Sequence, residues 1–186
     1  MASVEKTYAD AMFSLLQDEK ADRTVFDTVL GQLRVVDESF KQTPDLYKLM
    51  NTPTISDDEK IGIVNAVFDG KVSDYVRNFL RLLAVKKRIG CYPRIVREFR
   101  KQYNEHFGLA EIVITSAMPI SAEQRGRIVA KMATVIGTTQ EKVVVSEKVE
   151  KDLIGGITVD YGNIRYDGSV KTRLGELAKD ITGVVA

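Results

Sequence analysis

Apolar side chains recur at intervals of three and four residues through the first hundred or so positions, which is the period of one face of an α-helix. The stripes of the first two predicted helices are Tyr8, Ala11, Met12, Leu15 and Leu16, followed by Phe26, Val29, Leu30, Leu33 and Val36. A short third helix is predicted to begin at Pro44, because proline suits a first helical turn, and to end before Pro53.

Three further helices are predicted before residue 108. Ser56 and Glu59 have the spacing of a capping box, which predicts that the fourth helix begins there. Apolar stripes then predict a fifth helix over about 72–88 and a sixth that ends near Phe107. Amphipathic helices joined by short loops bury their stripes against one another, so this half of the chain is expected to form an all-α bundle of about six helices.

The pattern changes at Leu109. A run of β-branched residues over 110–117 predicts a strand, and a second capping box at Ser121 and Gln124 predicts a helix that ends at Gly137. A strand at 143–145, a hairpin of 154–161 and 164–166, and a last helix from near Ser169 follow. The fold class is therefore predicted as α+β, with a helical domain over 1–108 and a small α/β module over 109–186.

Composition excludes several classes of function. The 186 residues include one His, one Cys and no Trp, which leaves no material for a His-rich metal site or a zinc knuckle. No Walker A sequence or dinucleotide-binding glycine pattern is present, and the pair Gly155-Gly156 is only a weak candidate for a phosphate-binding loop. No apolar stretch is long enough to span a bilayer, and no secretory signal is visible. We expect no enzyme activity, no cofactor and no membrane insertion.

Charge is unevenly distributed although the net charge is only +1. Residues 1–76 sum to −6, residues 77–101 to +8 and residues 102–186 to −1. The basic stripe on the fifth and sixth helices consists of Arg77, Arg81, Lys86, Lys87, Arg88, Arg94, Arg97, Arg100 and Lys101. One interpretation is that these residues pair with the acidic helices of the same bundle. The alternative is a helical adaptor that binds nucleic acid through the stripe.

Six motifs, in order along nearly the whole chain, resemble the delta subunit family of F-type ATP synthases, which includes the mitochondrial oligomycin-sensitivity-conferring protein. They are Tyr8-Ala9-x-Ala11-Met12-Phe13, Asn51-x-Pro53 with Glu59-Lys60, Asn78-Phe79-Leu80-x-Leu82-Leu83 with Lys87-Arg88, Ser116-Ala117-x-Pro119-Ile120-Ser121 with Gln124, Leu153-Ile154-Gly155-Gly156-Ile157, and Asp167-x-Ser169-Val170-x-x-x-Leu174-x-x-Leu177. The chain departs from the family at Thr7, where a basic residue is usual, and in two turns, at Val149-Glu150-Lys151-Asp152 and at Asn163.

The resemblance implies a non-catalytic stator subunit that links the catalytic head to the peripheral stalk. It implies that the helical domain binds the N-terminal tails of the alpha subunits, with the site on the first and fifth helices, and that the C-terminal module binds the b subunits. The resemblance implies that the alpha-tail site of this chain consists of Tyr8, Ala11, Met12, Leu15, Phe79, Leu80 and Leu83. Nucleic acid is not among the implied partners. The expected location is peripheral, on the cytoplasmic side of a bacterial cell membrane, with an organelle ATP synthase as the alternative.

The proposed stalk contact is a narrow apolar seam on the last predicted helix. Its residues are Val170, Leu174, Leu177 and Ile181, and Val184 continues the spacing. Alternating steps of four and three suit packing against another helix. The seam spans barely two heptads, too short for a stable coiled coil by itself, so packing on the module's own sheet is an equally good interpretation.

The predicted boundary near residues 107–110 can be tested by limited proteolysis. If the helical domain folds independently, brief digestion should leave a stable N-terminal fragment that ends close to Gly108. Mass spectrometry of the digest, with circular dichroism of the isolated fragment, checks this. Persistence of only the intact chain until complete degradation would contradict an independent helical domain.

Overall fold

Two separate units make up the chain in the computed structural model, Met1–Tyr103 and Asn104–Ala186. The structure describes residues 3–52, 54–151, 153–172 and 174. The division falls in the last turn of a helix, whereas the sequence predicts it after Gly108.

In the described part of the first unit, six α-helices form a bundle, as the apolar periodicity predicts. Their bounds are α1 (Val4–Asp18), α2 (Arg23–Gln42), α3 (Pro44–Asn51), α4 (Asp57–Phe68), α5 (Asp74–Val85) and α6 (Tyr92–His106). A short 3-10 turn, Ile89–Cys91, precedes α6. Helix α5 is shorter at both ends than its stripe suggested, and Lys87, just beyond it, takes a φ of 55°, which is incompatible with continuing a right-handed helix.

The helix starts agree with the capping signals. The Ser56 hydroxyl accepts a hydrogen bond from the backbone N–H of Glu59 at 3.3 Å, and Glu59 accepts one from the backbone N–H of Ser56 at 3.0 Å. Two backbone N–H groups at the N-terminus of α4, which no helical hydrogen bond would use, are therefore paired by the side chains of Ser56 and Glu59. The same reciprocal pair, between Ser121 and Gln124, starts a helix of the second unit.

Two aromatic clusters connect the helices of the first unit. The Phe13 ring centroid lies 5.0 Å from that of Phe26 and 5.7 Å from that of Phe99, which joins α1, α2 and α6. A second cluster forms around Phe40 of α2, whose centroid lies 5.5 Å from Tyr92 and 6.1 Å from Phe68. Burying a phenylalanine side chain contributes about 1.5–3 kcal/mol, so these clusters contribute substantially to the packing of the bundle.

Within the described residues, the second unit consists of a four-stranded sheet, a helix packed on it and the start of a last helix. Its elements are β1 (Ala110–Ser116), α7 (Ala122–Ile136), β2 (Val143–Val149), β3 (Ile157–Tyr161) and β4 (Ile164–Asp167). The strand order is β2-β1-β3-β4, with β1 and β2 parallel and the other pairs antiparallel. Helix α7 connects the parallel pair, and the core consists of Ile112, Ile114, Met132 and Val159.

The third strand begins later than its apolar run predicts, because the chain before it makes a close backbone approach. Gly156 has a φ of +83°, and a Cβ placed there would lie 2.4 Å from the carbonyl oxygen of Gly168. Ile154, the first residue of the predicted strand, lies outside the observed one and is 76% exposed. The pair Gly155-Gly156 therefore serves a tight chain crossing, which removes the reason to consider it a phosphate-binding loop.

The last predicted helix begins where expected. The backbone N–H of Ser169 donates to Asp167 at 2.8 Å, and the Ser169 hydroxyl accepts from the backbone N–H of Thr172 at 3.3 Å. Residues 170–172 and 174 are helical. The later positions of the seam, Leu177, Ile181 and Val184, lie outside the described residues.

Burial of Tyr92 is expected to make the free energy of unfolding of the bundle fall at alkaline pH. Its side chain is fully buried and its hydroxyl donates to the Leu33 carbonyl at 3.0 Å. Burial raises the pKa of the Tyr92 phenol well above its usual range. The contribution of the neutral Tyr92 phenol to the free energy of unfolding is therefore complete below the unfolded-state pKa of about 10. It is lost as the pH rises from that value through the higher pKa of the folded state.

We expect Tyr92→Phe to reduce this alkaline loss of stability. Near pH 7 the variant should lose about 1 kcal/mol of unfolding free energy, since one buried hydrogen bond is removed. Between about pH 9 and 11 its unfolding free energy should fall less steeply than that of the wild type. Urea unfolding followed by circular dichroism at several pH values measures both effects. Parallel pH profiles for the two proteins would show that Tyr92 is not the responsible group.

Candidate functional site

A surface groove of about 1190 Å³ lies between α1 and α5 in the first unit. Its lining residues are Tyr8, Ala11, Met12, Leu15, Glu19, Asp69, Gly70, Val72, Ser73, Asp74, Tyr75, Arg77, Asn78, Phe79 and Leu82. The volume exceeds the roughly 300–1,000 Å³ of typical small-molecule pockets. Its long walls are apolar, and polar and acidic groups are concentrated toward one end.

Five of the seven residues predicted for the alpha-tail site line this groove. Tyr8, Ala11, Met12 and Leu15 contribute one wall from α1, and Phe79 contributes to the other from α5. The rings of Tyr8 and Phe79 meet edge to face with centroids 6.4 Å apart. Met12 and Phe79 are almost completely buried, so they form the floor, whereas Leu15 is 43% exposed on the rim.

The other two predicted residues, Leu80 and Leu83, do not line the groove. Both have an exposure of 0%, which places them in the bundle core. Each residue of a helix is rotated by about 100° from the last, so the groove-facing side of α5 includes Asn78 and Leu82 beside Phe79, and not Leu80 or Leu83. Leu82 is 44% exposed, and although it belongs to the motif Asn78-Phe79-Leu80-x-Leu82-Leu83, it is not among the residues predicted for the site.

The start of α5 is anchored to α2. Ser73 occupies the N-cap position of α5, yet its hydroxyl does not cap the helix. Instead the hydroxyl and the backbone N–H of Ser73 both donate to the side-chain oxygen of Gln32, at 2.7 and 2.9 Å. Two hydrogen bonds to one partly buried acceptor hold this end of the groove wall in place.

Acidic groups surround that same end. The Tyr75 hydroxyl donates to Glu19 across the groove, and this hydrogen bond raises the pKa of Tyr75 above its usual value. Arg77 pairs with both Asp69 and Asp74. The groove therefore combines an apolar floor with an acidic end, which suits a polypeptide more than a small anion.

The predicted stalk contact is only partly described. Val170 and Leu174 are both exposed, consistent with an outward-facing seam, and the backbone N–H of Val170 donates to the Gly155 carbonyl at 3.0 Å. Leu177 and Ile181 lie outside the described residues. The choice between stalk contact and packing within the module therefore stays a prediction.

The basic stripe is partly neutralised within the bundle. Arg77 is paired as above, and Arg94 lies 3.0 Å from Glu5. Arg81 donates through Nε and a terminal nitrogen to the Asn65 side-chain oxygen at 2.8 and 2.6 Å. The Arg94–Glu5 ion pair, which joins α6 to α1, agrees with the interpretation that basic helices pack beside acidic ones, whereas the partner of Arg81 is a neutral amide.

Neither metal-binding nor membrane-spanning features occur in the part of the chain that the structure describes. Its His, Cys, Asp and Glu side chains do not assemble in groups of three or more that could hold a metal ion. Among the described helices, none is both long and apolar enough to cross a bilayer. The described residues thus combine a helical unit that carries an apolar groove with a small sheet unit.

Comparison with known proteins identifies the family. The family model described as ATP synthase delta (OSCP) subunit matches residues 4–181. Relatives described as ATP synthase subunit delta include one from Chlorobium phaeobacteroides, 35% identical over 183 residues with 96% of each chain covered. Another, from Chlorobium chlorochromatii, is 33% identical over 176 residues and covers 95% of this chain and 94% of the relative.

The fold is also found in a solved assembly. A chain of the Toxoplasma gondii mitochondrial ATP synthase hexamer superposes with a TM-score of 0.69 at 17% identity, covering 97% of this chain and 98% of that one. At this identity the match supports the fold alone.

The chain belongs to the ATP synthase delta (OSCP) subunit family. It is accordingly a non-catalytic stator subunit of the peripheral stalk of F-type ATP synthase. The comparisons give no support to the alternative of a nucleic-acid-binding adaptor.

Proposed function

We propose that the groove between α1 and α5 binds the N-terminal tail of an alpha subunit of the catalytic head, and that the second unit binds the b subunits of the stalk. The observation that carries the first half is the groove itself, in which two half-exposed leucines, Leu15 and Leu82, flank a buried floor of Met12 and Phe79. Such a protein holds the head against the stalk and so prevents the head from turning with the rotor.

The dimensions of the groove favour a helical occupant. The lining residues of α1 extend from Tyr8 to Glu19, which is about 17 Å at 1.5 Å per residue. That length accommodates three turns of a bound helix, whose apolar positions i, i+3, i+4 and i+7 would contact the floor. Polar sites that bind small molecules are more enclosed and carry convergent hydrogen-bonding groups, which the middle of this groove does not offer.

The affinity of such a contact would come from apolar burial. Leu15 and Leu82 are each more than two-fifths exposed, so covering them removes apolar surface from water at about 25 cal/mol per Å². Ordering a flexible tail opposes this gain. A preformed groove reduces the cost because α1 and α5 already hold their positions through the bundle core.

The second contact rests on the exposed start of the last helix. Val170 and Leu174 are four residues apart and both exposed, so they lie on one accessible helical face. Covering this face with a stalk helix would bury apolar groups that the described part of the module leaves in water. The complex would place the chain at the periphery of the cell membrane, on its cytoplasmic side.

Replacing the exposed leucines of the groove rim by glutamate should weaken binding of the alpha-subunit tail without unfolding the bundle. We expect Leu15→Glu and Leu82→Glu each to weaken binding of a synthetic alpha-subunit N-terminal peptide by at least about tenfold, since each loses apolar burial and places a carboxylate against the peptide. Isothermal titration calorimetry measures the affinity, and circular dichroism verifies the helical content.

Val35→Glu is the matched control for these variants. Val35 is exposed on α2 and does not line the groove, so the same type of substitution should leave the peptide affinity unchanged. If Leu15→Glu and Leu82→Glu both bind the peptide as the wild type does, the tail docks elsewhere.

The stalk contact can be tested with Leu174→Glu and Leu177→Glu. If the seam contacts the stalk, both variants should bind a peptide from the C-terminal end of the b subunit with an affinity at least about tenfold lower than that of the wild type. Their affinity for the alpha-subunit tail should be unchanged. Thermal unfolding must be near that of the wild type for the comparison to apply.

Ile154→Glu serves as control because Ile154 is an exposed apolar residue outside the seam. Wild-type affinity for the stalk peptide in stably folded Leu174→Glu and Leu177→Glu would show that the seam is not the contact.

A further inference from the structure

Acidic residues lie at two helix ends where the fold itself disfavours them. Glu19 is the C-cap of α1 and Asp69 the C-cap of α4, and neither helix has a basic residue in its last turn. The C-terminal end of a helix carries partial negative charge, so a carboxylate there is unfavourable by a few tenths of a kcal/mol. Both residues line the same end of the groove.

The local charge at this end is not balanced by the lining residues. Glu19, Asp69 and Asp74 are opposed there by Arg77 alone, which pairs with the two aspartates. Glu19 receives its hydrogen bond in the groove from Tyr75, a neutral phenol. Lys20 and Lys71 are exposed next to lining residues but do not line the groove themselves. Among the lining residues, this end therefore carries more negative than positive charge beside an apolar floor.

The opposite end of the groove has the reverse character. Leu82 lines it, and α5 ends three residues later and continues into Lys86, Lys87 and Arg88, all exposed. Helices α1 and α5 run antiparallel along the groove, because Tyr8 contacts Phe79 while Glu19 contacts Tyr75. The groove is thus acidic at one end and flanked by basic residues at the other.

We propose that the groove selects an amphipathic helix with a lysine or arginine at one end, and that this basic end lies over Glu19 and Asp69. The inference rests on the proposed binding of an alpha-subunit tail and adds the charge pattern and the direction of the bound helix. Apolar contact by itself would tolerate either direction, whereas a charged end makes one direction favourable.

Designed peptides separate charge selection from apolar binding. Three helical 20-residue peptides would share one apolar stripe and differ only at one end, which carries two Lys, two Gln or two Glu. At low salt we expect the Lys peptide to bind about three- to tenfold more tightly than the Gln peptide, which corresponds to the usual strength of exposed ion pairs. The difference should nearly vanish in about 0.5 M salt.

Charge-removing variants assign the preference to particular residues. Glu19→Gln keeps an acceptor for the Tyr75 hydroxyl and Asp69→Asn keeps the size of the side chain, so each should reduce the advantage of the Lys peptide without unfolding the unit. Asp58→Asn is the control, because Asp58 is exposed in the first turn of α4 and does not line the groove. It should leave the advantage intact.

A spin label at the charged end of the Lys peptide reports direction. Broadening of the backbone amide signals of Glu19 and Gly70, and not of Leu82 and Val85, is the expected result. Equal affinities of the Lys and Gln peptides, or broadening at Leu82, would overturn the proposed charge selection.

The outcome distinguishes this inference from the proposed function. If Leu15→Glu abolishes binding of all three peptides while the Lys and Gln peptides bind the wild type equally, the groove is an alpha-tail site without charge selection. If Leu15→Glu has no effect on any peptide, the groove is not the docking site and both proposals fail.

Discussion

The apolar bands of α1 and α5 are wider than the bundle core can cover, and the groove is a consequence of that excess. On α1, Ala9, Phe13 and Leu16 face the core, while Ala11 and Leu15 stay at the surface. On α5, Leu80 and Leu83 are buried and Leu82 is not. The same two helices therefore supply both the packing that fixes their separation and the surface that is open to a partner.

This shared use explains why the groove is formed before any partner arrives. Phe13 contacts Phe26 and Phe99, so α1 is held by two other helices, and Ser73 fixes the start of α5 to Gln32 of α2. A groove whose walls are held by the core need not be ordered on binding, so more of the apolar gain appears as affinity. A stator benefits because a rigid link transmits torque without yielding.

Local sequence signals predict the helices and strands well. They predict much less well which side chains face the core and which face the groove. Capping boxes at Ser56 and Ser121 gave helix starts because a cap depends on residues three apart. The family resemblance places Leu80 and Leu83 in the binding site, yet both are buried in the core. The face of α5 toward the core and the face toward the groove both carry leucines, so the apolar pattern of the sequence cannot distinguish the two faces. The late start of β3 depends on Gly168, twelve residues away from Gly156, and no local pattern reports such a contact.

The acidic end of the groove suggests how affinity and orientation are divided between different residues. Apolar burial is strong but not directional, so a floor of Met12 and Phe79 would by itself set no direction for a bound helix. In the proposed complex, Glu19 and Asp69 would add little affinity, since exposed ion pairs are weak, and would favour one direction of the helix at a slight cost to their own helix ends. The bundle tolerates that small cost because its core, which includes the aromatic clusters around Phe13 and Phe40, does not depend on these two carboxylates.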